Sequence, residues 1–131
     1  MEPAVSPRKP VLLVEDDPEI RKLLRTLLEK HGYMVLEAPH GQAALALLEH
    51  SSLPGVILLD LYLPVMDGWE FRRAQRRDRR LAALPVVVIS AASDSLIEPI
   101  DAEQVMKKPL DTRRLLEVVA DYCGVPARAG G

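Results

Sequence analysis

Residues 56–60 read Val-Ile-Leu-Leu-Asp, a run of four apolar side chains that ends in a single carboxylate. The same form recurs at Val11–Val14 before Glu15-Asp16-Asp17, at Val86–Ile89 before Ser90, and more weakly at Val105-Met106 before Lys107-Lys108-Pro109. Hydrophobicity that is unbroken rather than alternating is typical of parallel strands covered by helices on both faces. Ligands of open α/β sheets bind outside the carboxyl ends of such strands. We therefore predict one site, which collects the polar residues that end these runs.

Length and composition indicate one domain with an aliphatic core. A chain of 131 residues suffices for one domain and is too short for two ordinary ones. Its residues are 48% hydrophobic but only 4% aromatic, which suits a buried sheet of Val, Ile and Leu. The net charge of −2 argues against a dedicated nucleic-acid or membrane-surface binder.

The sequence favours a cytoplasmic protein. No stretch approaches the roughly 18 apolar residues of a membrane span, and residues 1–9 contain no apolar signal segment. Cys123 is the single cysteine, so no intramolecular disulfide can form and nothing indicates an oxidising compartment. We expect a cytoplasmic location and no membrane partner.

Strand signals alternate with helix signals along the chain. Asp17-Pro18 predicts a helix N-terminus, after which apolar residues recur at helical spacing: Ile20, Leu23, Leu24, Leu27 and Leu28. A second strand is predicted at Val35–Ala38, and further helices over Gln42–Glu49, Trp69–Arg77 and Thr112–Cys123. In the helix over Gln42–Glu49 we expect the inward face to consist of Ala43, Leu47 and either Ala44 or Leu48.

This order of elements predicts an α/β fold, a doubly wound five-stranded parallel sheet with helices on both faces. Between Ala91 and Glu103 the periodicity is weak and Pro99 intervenes, so a fourth helix there should be short or irregular. The predicted folded unit covers residues 10–124, between a flexible lead-in at 1–9 and a flexible tail at 125–131.

The polar residues at the strand ends have the chemistry of a phosphoryl-accepting site. Glu15, Asp16 and Asp60 offer the oxygen ligands that Mg²⁺ prefers, and the ion would relieve their mutual repulsion. Asp60 could accept a phosphoryl group if the charge of the transferring oxygens were neutralised. Lys108 offers a fixed positive charge for those oxygens, and Ser90 offers a hydroxyl donor.

Each of these residues also has an ordinary structural explanation. Acidic residues before a helix are often caps only, and for Asp17 that role is as plausible as a functional one. A single serine at a strand end is usually structural, and a lysine before proline is commonly a solvated charge. The coincidence of all four residue types at strand ends is what favours a functional site.

The same residues resemble the receiver domain of two-component response regulators, the CheY-like superfamily. The resemblance rests on Val14-Glu15-Asp16-Asp17, Ser90-Ala91, Lys108-Pro109 and, most specifically, the stretch from Asp60 to Gly68. It implies a flavodoxin-like fold that catalyses only its own aspartyl phosphorylation and dephosphorylation. The phosphodonor would be a phosphohistidine on a sensor histidine kinase or a phosphotransfer protein.

The resemblance also implies a role for each matching residue. Asp60 would be the phosphoacceptor, Glu15 and Asp16 the acidic pair that organises Mg²⁺, and the backbone carbonyl of Tyr62 a further metal ligand. Ser90 would be the switch hydroxyl and Lys108 the lysine of the family pattern. No output domain follows, so we expect a single-domain regulator that contacts a downstream protein, and a homodimer is a further candidate assembly.

Two features depart from the family pattern. The position three residues before Lys108 holds Val105, where members that signal through an aromatic switch have Tyr or Phe. Ser90 and Lys108 are 18 residues apart, which is shorter than usual and again predicts a short or missing fourth helix. We therefore expect intact phosphoryl chemistry but an unusual switch surface.

Three other functions compete with this interpretation. An aspartyl-nucleophile phosphatase would need a second acid two residues after Asp60, where Tyr62 stands. A binding module that kept the fold and lost phosphate regulation is favoured by Val105 and opposed by the acidic residues. The arginines between Arg72 and Arg80 could contact nucleic acid, but on a helix they are more typical of a solvated face.

Overall fold

The computed structural model describes residues 9–91 and 100–124, which form a five-stranded parallel sheet with the strand order β2-β1-β3-β4-β5. The strands are β1 (Val11–Val14), β2 (Val35–Ala38), β3 (Val56–Asp60), β4 (Val86–Ser90) and β5 (Gln104–Lys107). The helices are α1 (Pro18–Lys30), α2 (Gly41–His50), α3 (Gly68–Arg77) and α4 (Thr112–Cys123). The predicted α/β fold with a doubly wound parallel sheet is confirmed.

Two apolar layers cover the sheet, one on each face. Alternate residues of a strand point to opposite faces, so Val11 and Leu13 pack on α1 and α4 while Leu12 and Val14 pack on α2 and α3. All residues of β1, β3 and β4 are buried, whereas the edge strands β2 and β5 are partly exposed. The unbroken apolar runs therefore mark the three central strands, as the sequence predicted.

Side-chain caps define where two of the helices begin. Asp17 precedes α1 and its carboxylate accepts hydrogen bonds from the backbone N–H groups of Glu19 and Ile20. Asp67 and Glu70 form a reciprocal capping box at α3, in which each carboxylate accepts the backbone N–H of the other residue. These caps satisfy amide groups that the first helical turn leaves without partners.

The inward face of α2 differs from the prediction. Ala44 and Leu48 are both fully buried, while Ala43 and Leu47 are only partly buried. The helix begins with Gly41, whose backbone N–H donates to the Met66 carbonyl at 3.0 Å. A β-carbon on Gly41 would lie 2.9 Å from that carbonyl oxygen, so this close approach sets the rotation of the helix.

The arginine-rich helix α3 is not simply a solvated face. Arg72 is only 6% exposed, and it donates to the Asp101 carbonyl and to Gln75. Gln75 in turn donates to the carbonyls of Leu81 and Leu84. The expectation that all arginines of this segment are surface charges is therefore wrong for Arg72, because a guanidinium with enough acceptors can be buried.

Several predictions concern residues outside the described ranges. The flexible lead-in lies there except for Lys9, as does the whole predicted tail at 125–131. Most of the segment predicted to hold a short fourth helix, residues 92–99, also lies outside them. Among the described residues, no helix is both long enough and apolar enough to cross a membrane.

Cys123 is a buried thiol, and we expect it to react slowly in the native protein. Burial raises its pKa to about 11, and Sγ contacts the Pro10 carbonyl oxygen at 3.7 Å. A rise of two pKa units lowers the thiolate fraction at neutral pH roughly a hundredfold, and the thiolate is the reactive form. The measurement is the rate of reaction with an aromatic disulfide reagent in buffer and in denaturing urea. Equal rates in the two solutions would contradict a buried thiol.

Candidate functional site

The carboxyl ends of three neighbouring strands lie level with one another. Val14 pairs with Leu59 and Asp60 pairs with Ile89, so the ends of β1, β3 and β4 meet at one edge of the sheet. Directly after β5, the backbone N–H of Lys108 donates to the Ser90 carbonyl at 2.9 Å. The parallel register therefore brings the predicted polar residues to one place.

Three carboxylates form a cluster at this edge. Oxygen atoms of Glu15, Asp16 and Asp60 lie within 4.8 Å of one another. Glu15 and Asp60 are buried, at 2% and 8% exposure, while Asp16 is exposed. Hard oxygen donors with uncompensated negative charge suit a divalent cation such as Mg²⁺, which would have these three side chains as ligands.

Lys108 is the cation that the fold itself places in this cluster. Its Nζ lies 3.0 Å from Glu15 Oε1 and 3.5 Å from Asp60 Oδ2. Burial by itself would lower the pKa of Lys108, but its bonds to the two carboxylates outweigh burial and raise the pKa. The ammonium group is therefore held in its charged form beside both acids.

Glu15 is the carboxylate whose charged form the surroundings destabilise. Burial raises its pKa, and the negative charge of Asp60 raises it further, against the opposing effect of the Lys108 hydrogen bond. Its other oxygen, Oε2, accepts the backbone N–H of Asp17 at 3.2 Å. The buried acids Glu15 and Asp60 carry two negative charges against the single positive charge of Lys108. The excess negative charge lies where little water can solvate it, and this favours a bound cation.

Arg21 is a supporting residue that the sequence analysis missed. It lies on α1, donates to the Glu15 carbonyl at 2.8 Å, and forms an ion pair with Glu37 on β2. These contacts tie the end of β1 to the first turn of the following helix. A basic residue one turn inside a helix gives no sequence signal of this kind, because surface arginines are common there.

The residues after Asp60 turn the chain away from the sheet and expose an aromatic ring. The backbone N–H of Tyr62 donates to Asp60 Oδ1 at 3.2 Å, which orients that carboxylate. The Tyr62 side chain is half-exposed and packs edge-on against Trp69, with ring centroids 5.4 Å apart.

Ser90 is fully buried at the end of β4. Val105 is 46% exposed on the edge strand β5.

Comparison with known proteins identifies the family. The family model described as "Response regulator receiver domain" matches residues 11–120. The chain belongs to the response regulator receiver family. Receiver domains are signalling proteins of two-component systems that interact with histidine kinases or phosphotransfer proteins, and they bind Mg²⁺ at an acidic pocket. In this receiver domain, Glu15, Asp16 and Asp60 form an acidic cluster that could hold a metal ion.

Relatives of similar length support this assignment. The chain is 32% identical to the polar-differentiation response regulator DivK of Brucella ovis, over 88% of this chain and 97% of DivK. It is 31% identical to protein PilH of Pseudomonas aeruginosa, over 74% of this chain and 91% of PilH. A response regulator receiver protein from Pseudomonas putida has a similar structure, with a TM-score of 0.81, 27% identity, and coverage of 89% of this chain and 99% of that one.

Proposed function

We propose that this receiver domain accepts a phosphoryl group on Asp60 from a phosphohistidine of a histidine kinase or phosphotransfer protein, and signals through phosphorylation-dependent contact with a downstream protein. The observation that carries the proposal is the contact of Lys108 with both Glu15 and Asp60 inside the acidic cluster. Its similarity to DivK and PilH over nine-tenths of their lengths supports the same type of protein.

In the proposed reaction an Asp60 carboxylate oxygen attacks phosphorus and forms an O–P bond as the N–P bond of phosphohistidine breaks. The electron pair of the broken bond goes to the imidazole nitrogen, which then takes a proton. Bound Mg²⁺ would neutralise charge on the transferring oxygens, with Glu15, Asp16, Asp60 and the Tyr62 carbonyl proposed as its protein ligands. Lys108 would hold the phosphoryl oxygens by ion pairing, and Ser90 would donate its hydroxyl to them.

The test is phosphorylation by a small acyl phosphate in the presence of Mg²⁺, followed by intact mass and peptide mapping. We expect one adduct, on the peptide that carries Asp60, and none after chelation of Mg²⁺. An adduct on another residue, or one that forms equally well in chelator, would refute the proposal.

Replacement of the site lysine should separate metal binding from phosphorylation. In Lys108→Ala, Mg²⁺ no longer competes with an ammonium group for Glu15 and Asp60, so we expect tighter Mg²⁺ binding by calorimetry at pH 8. The cation for the phosphoryl oxygens is lost, so phosphorylation should persist but proceed at least about tenfold more slowly. Lys30→Ala, which removes an exposed cation at the end of α1, should change neither quantity. If Lys108→Ala lost both Mg²⁺ affinity and phosphorylation rate, the role of Lys108 would be only to support the fold.

An apolar face beside the site is suited to the phosphodonor. Leu23 on α1 is 69% exposed although it lies in the apolar repeat of that helix. A groove of about 400 Å³ runs between α1 and the segment after Lys108, and its walls include Leu23, Leu27 and Leu110. An exposed apolar patch next to a reactive group is a typical protein interaction surface. We therefore place the phosphohistidine-bearing partner on this face.

A charge introduced on this face should affect one donor and spare the other. We expect Leu23→Asp to slow phosphotransfer from a protein phosphohistidine donor at least about tenfold, because an interface residue becomes charged. The rate at which a small acyl phosphate phosphorylates Leu23→Asp should equal the wild-type rate. Met34→Asp is the matched control, since Met34 is 68% exposed and lies beyond the other end of β1. Equal slowing by both variants, or slowing with the small donor, would contradict the assignment.

Val105 favours a second candidate function, a receiver-like module that binds its partner independently of phosphate. Valine has no aromatic ring that could rotate between a buried and an exposed position, so Ser90 would have to act through a residue other than Val105. Trp69 is the single tryptophan of the chain, and its emission before and after phosphorylation separates the candidates. A change in emission supports the phosphorylation switch, and partner affinity that is identical in both states supports the second candidate.

A further inference from the structure

Helix α3 and the loop after it carry a concentration of positive charge that the proposed phosphorylation does not use. Six arginines lie between Arg72 and Arg80, and only Glu70 and Asp78 oppose them between residues 69 and 80. We propose that a groove beside α3, here called the α3 groove, binds an acidic segment of a partner protein that inserts apolar side chains between its carboxylates. The inference is independent of phosphorylation at Asp60.

Three of the six arginines already have partners in the fold. Arg72 is buried and donates to Asp101 and Gln75, and Arg76 forms an ion pair with the Asp101 carboxylate. Arg80 donates to the carbonyls of Leu48 and Ser51. These three arginines tie α3 to the chain before β5 and to the end of α2, and so have a structural role.

The other three arginines are exposed and have no such role. Within residues 9–91 and 100–124, Arg73, Arg77 and Arg79 form neither a hydrogen bond nor an ion pair through their side chains. Arg73 and Arg77 are one helical turn apart, on the face that lines the α3 groove. Like charges at this spacing destabilise a helix. Their presence is explained if a partner supplies the opposing charge.

The electrostatic crowding extends into the wall of the groove. Burial lowers the pKa of Arg72, and the positive charge of Arg76 lowers it further despite the nearby Glu103. Four arginines and one acid, Asp101, line the groove, so the ion pair with Asp101 compensates only part of the positive charge on this face of α3. Additional carboxylates at the rim of the groove would reduce the remaining repulsion.

The shape of the α3 groove favours a peptide segment. Its volume is about 380 Å³, enough for a few side chains, and Trp69 and Ile100 give it apolar walls. Two free arginines on its rim would bind carboxylates that flank an inserted apolar side chain. A nucleic acid is the weaker candidate, because Arg73 and Arg77 on the rim could neutralise only about two phosphates of its backbone.

Trp69 provides a readout at the groove itself, since it lines the groove and is the only tryptophan. The experiment titrates the wild-type protein at low salt with a short tryptophan-free peptide of alternating glutamate and leucine. We expect a saturable change in Trp69 emission that weakens as salt is added. A peptide with glutamine in place of glutamate, and an oligothymidylate of equal charge, should bind at least about tenfold more weakly.

Two variants with the same change in net charge test whether the groove is the binding site. Arg73→Glu/Arg77→Glu should weaken peptide binding at least about tenfold, because the rim of the groove then carries negative charge that repels the glutamates of the peptide. Lys22→Glu/Lys30→Glu makes the same change in charge on the exposed side of α1 and should bind like wild type. Equal losses in both variants, no change in Trp69 emission with wild type, or tighter binding of the oligothymidylate would each overturn the proposal.

Discussion

Asp60→Asn is expected to abolish the phosphoryl adduct completely. An amide is a poor nucleophile and cannot carry the charge that the proposed attack requires, whereas its shape is nearly that of the carboxylate. The amide oxygen can still accept the Tyr62 N–H that Asp60 Oδ1 accepts. Lys108 keeps its closer contact, with Glu15 at 3.0 Å. The loss should therefore be chemical and not a consequence of unfolding.

The stability of this variant provides an internal check. The negative charge of Asp60 raises the pKa of Glu15, so removal of that charge relieves a repulsion when Mg²⁺ is absent. We expect the Asp60→Asn protein to melt at or above the wild-type temperature in chelator, and to gain less stability than wild type when Mg²⁺ is added. Differential scanning fluorimetry measures both quantities.

Intact mass after treatment with acyl phosphate and Mg²⁺ is the decisive measurement for Asp60. Asp121→Asn is the matched control, because it makes the same substitution at an exposed position on α4. That protein should be modified as fully as wild type. If Asp60→Asn were modified to the same extent, the phosphoacceptor would be a different residue.

Gly68→Ala should destabilise the protein by about 1–3 kcal/mol. Gly68 is the first residue of α3, and its N–H donates to the Leu61 carbonyl at 2.9 Å. A β-carbon at this position would lie 2.8 Å from the Asp60 carbonyl oxygen and 2.8 Å from the Leu61 Cα. Both are backbone atoms, so the clash cannot be relieved by rotation of a side chain. The end of β3 and the start of α3 would have to separate.

The same substitution should also impair the site, because the backbone that must move carries Asp60. We expect slower phosphorylation of Gly68→Ala even under conditions in which the variant is fully folded. Urea unfolding measures the change in stability, with Gln42→Ala on the exposed side of α2 as a control expected within about 0.5 kcal/mol of wild type. An unchanged unfolding midpoint for Gly68→Ala would show that α3 and β3 are far enough apart to accept a β-carbon at residue 68.

The arrangement of the fold was predictable from local patterns. Central parallel strands must be apolar on both faces, so Val11–Val14, Val56–Asp60 and Val86–Ser90 are recognisable without any knowledge of their neighbours. Caps such as Asp17 are equally local, since the side chain bonds to amides only two or three residues away. The inward face of α2 was harder, because it depends on a contact between Gly41 and the distant Met66.

The position of the acidic cluster also followed from the sequence, since the carboxyl ends of parallel strands must share one edge of the sheet. Its electrostatics required the folded molecule. The contact of Lys108 with Glu15 spans 93 residues, and the pKa of Glu15 depends on burial that no spacing encodes. Exposure of Leu23 and burial of Arg72 likewise needed the packed structure, because a helix repeat does not specify which side chains its neighbours cover. Local residue order sets which elements form, whereas burial and charge pairing arise only where distant elements pack together.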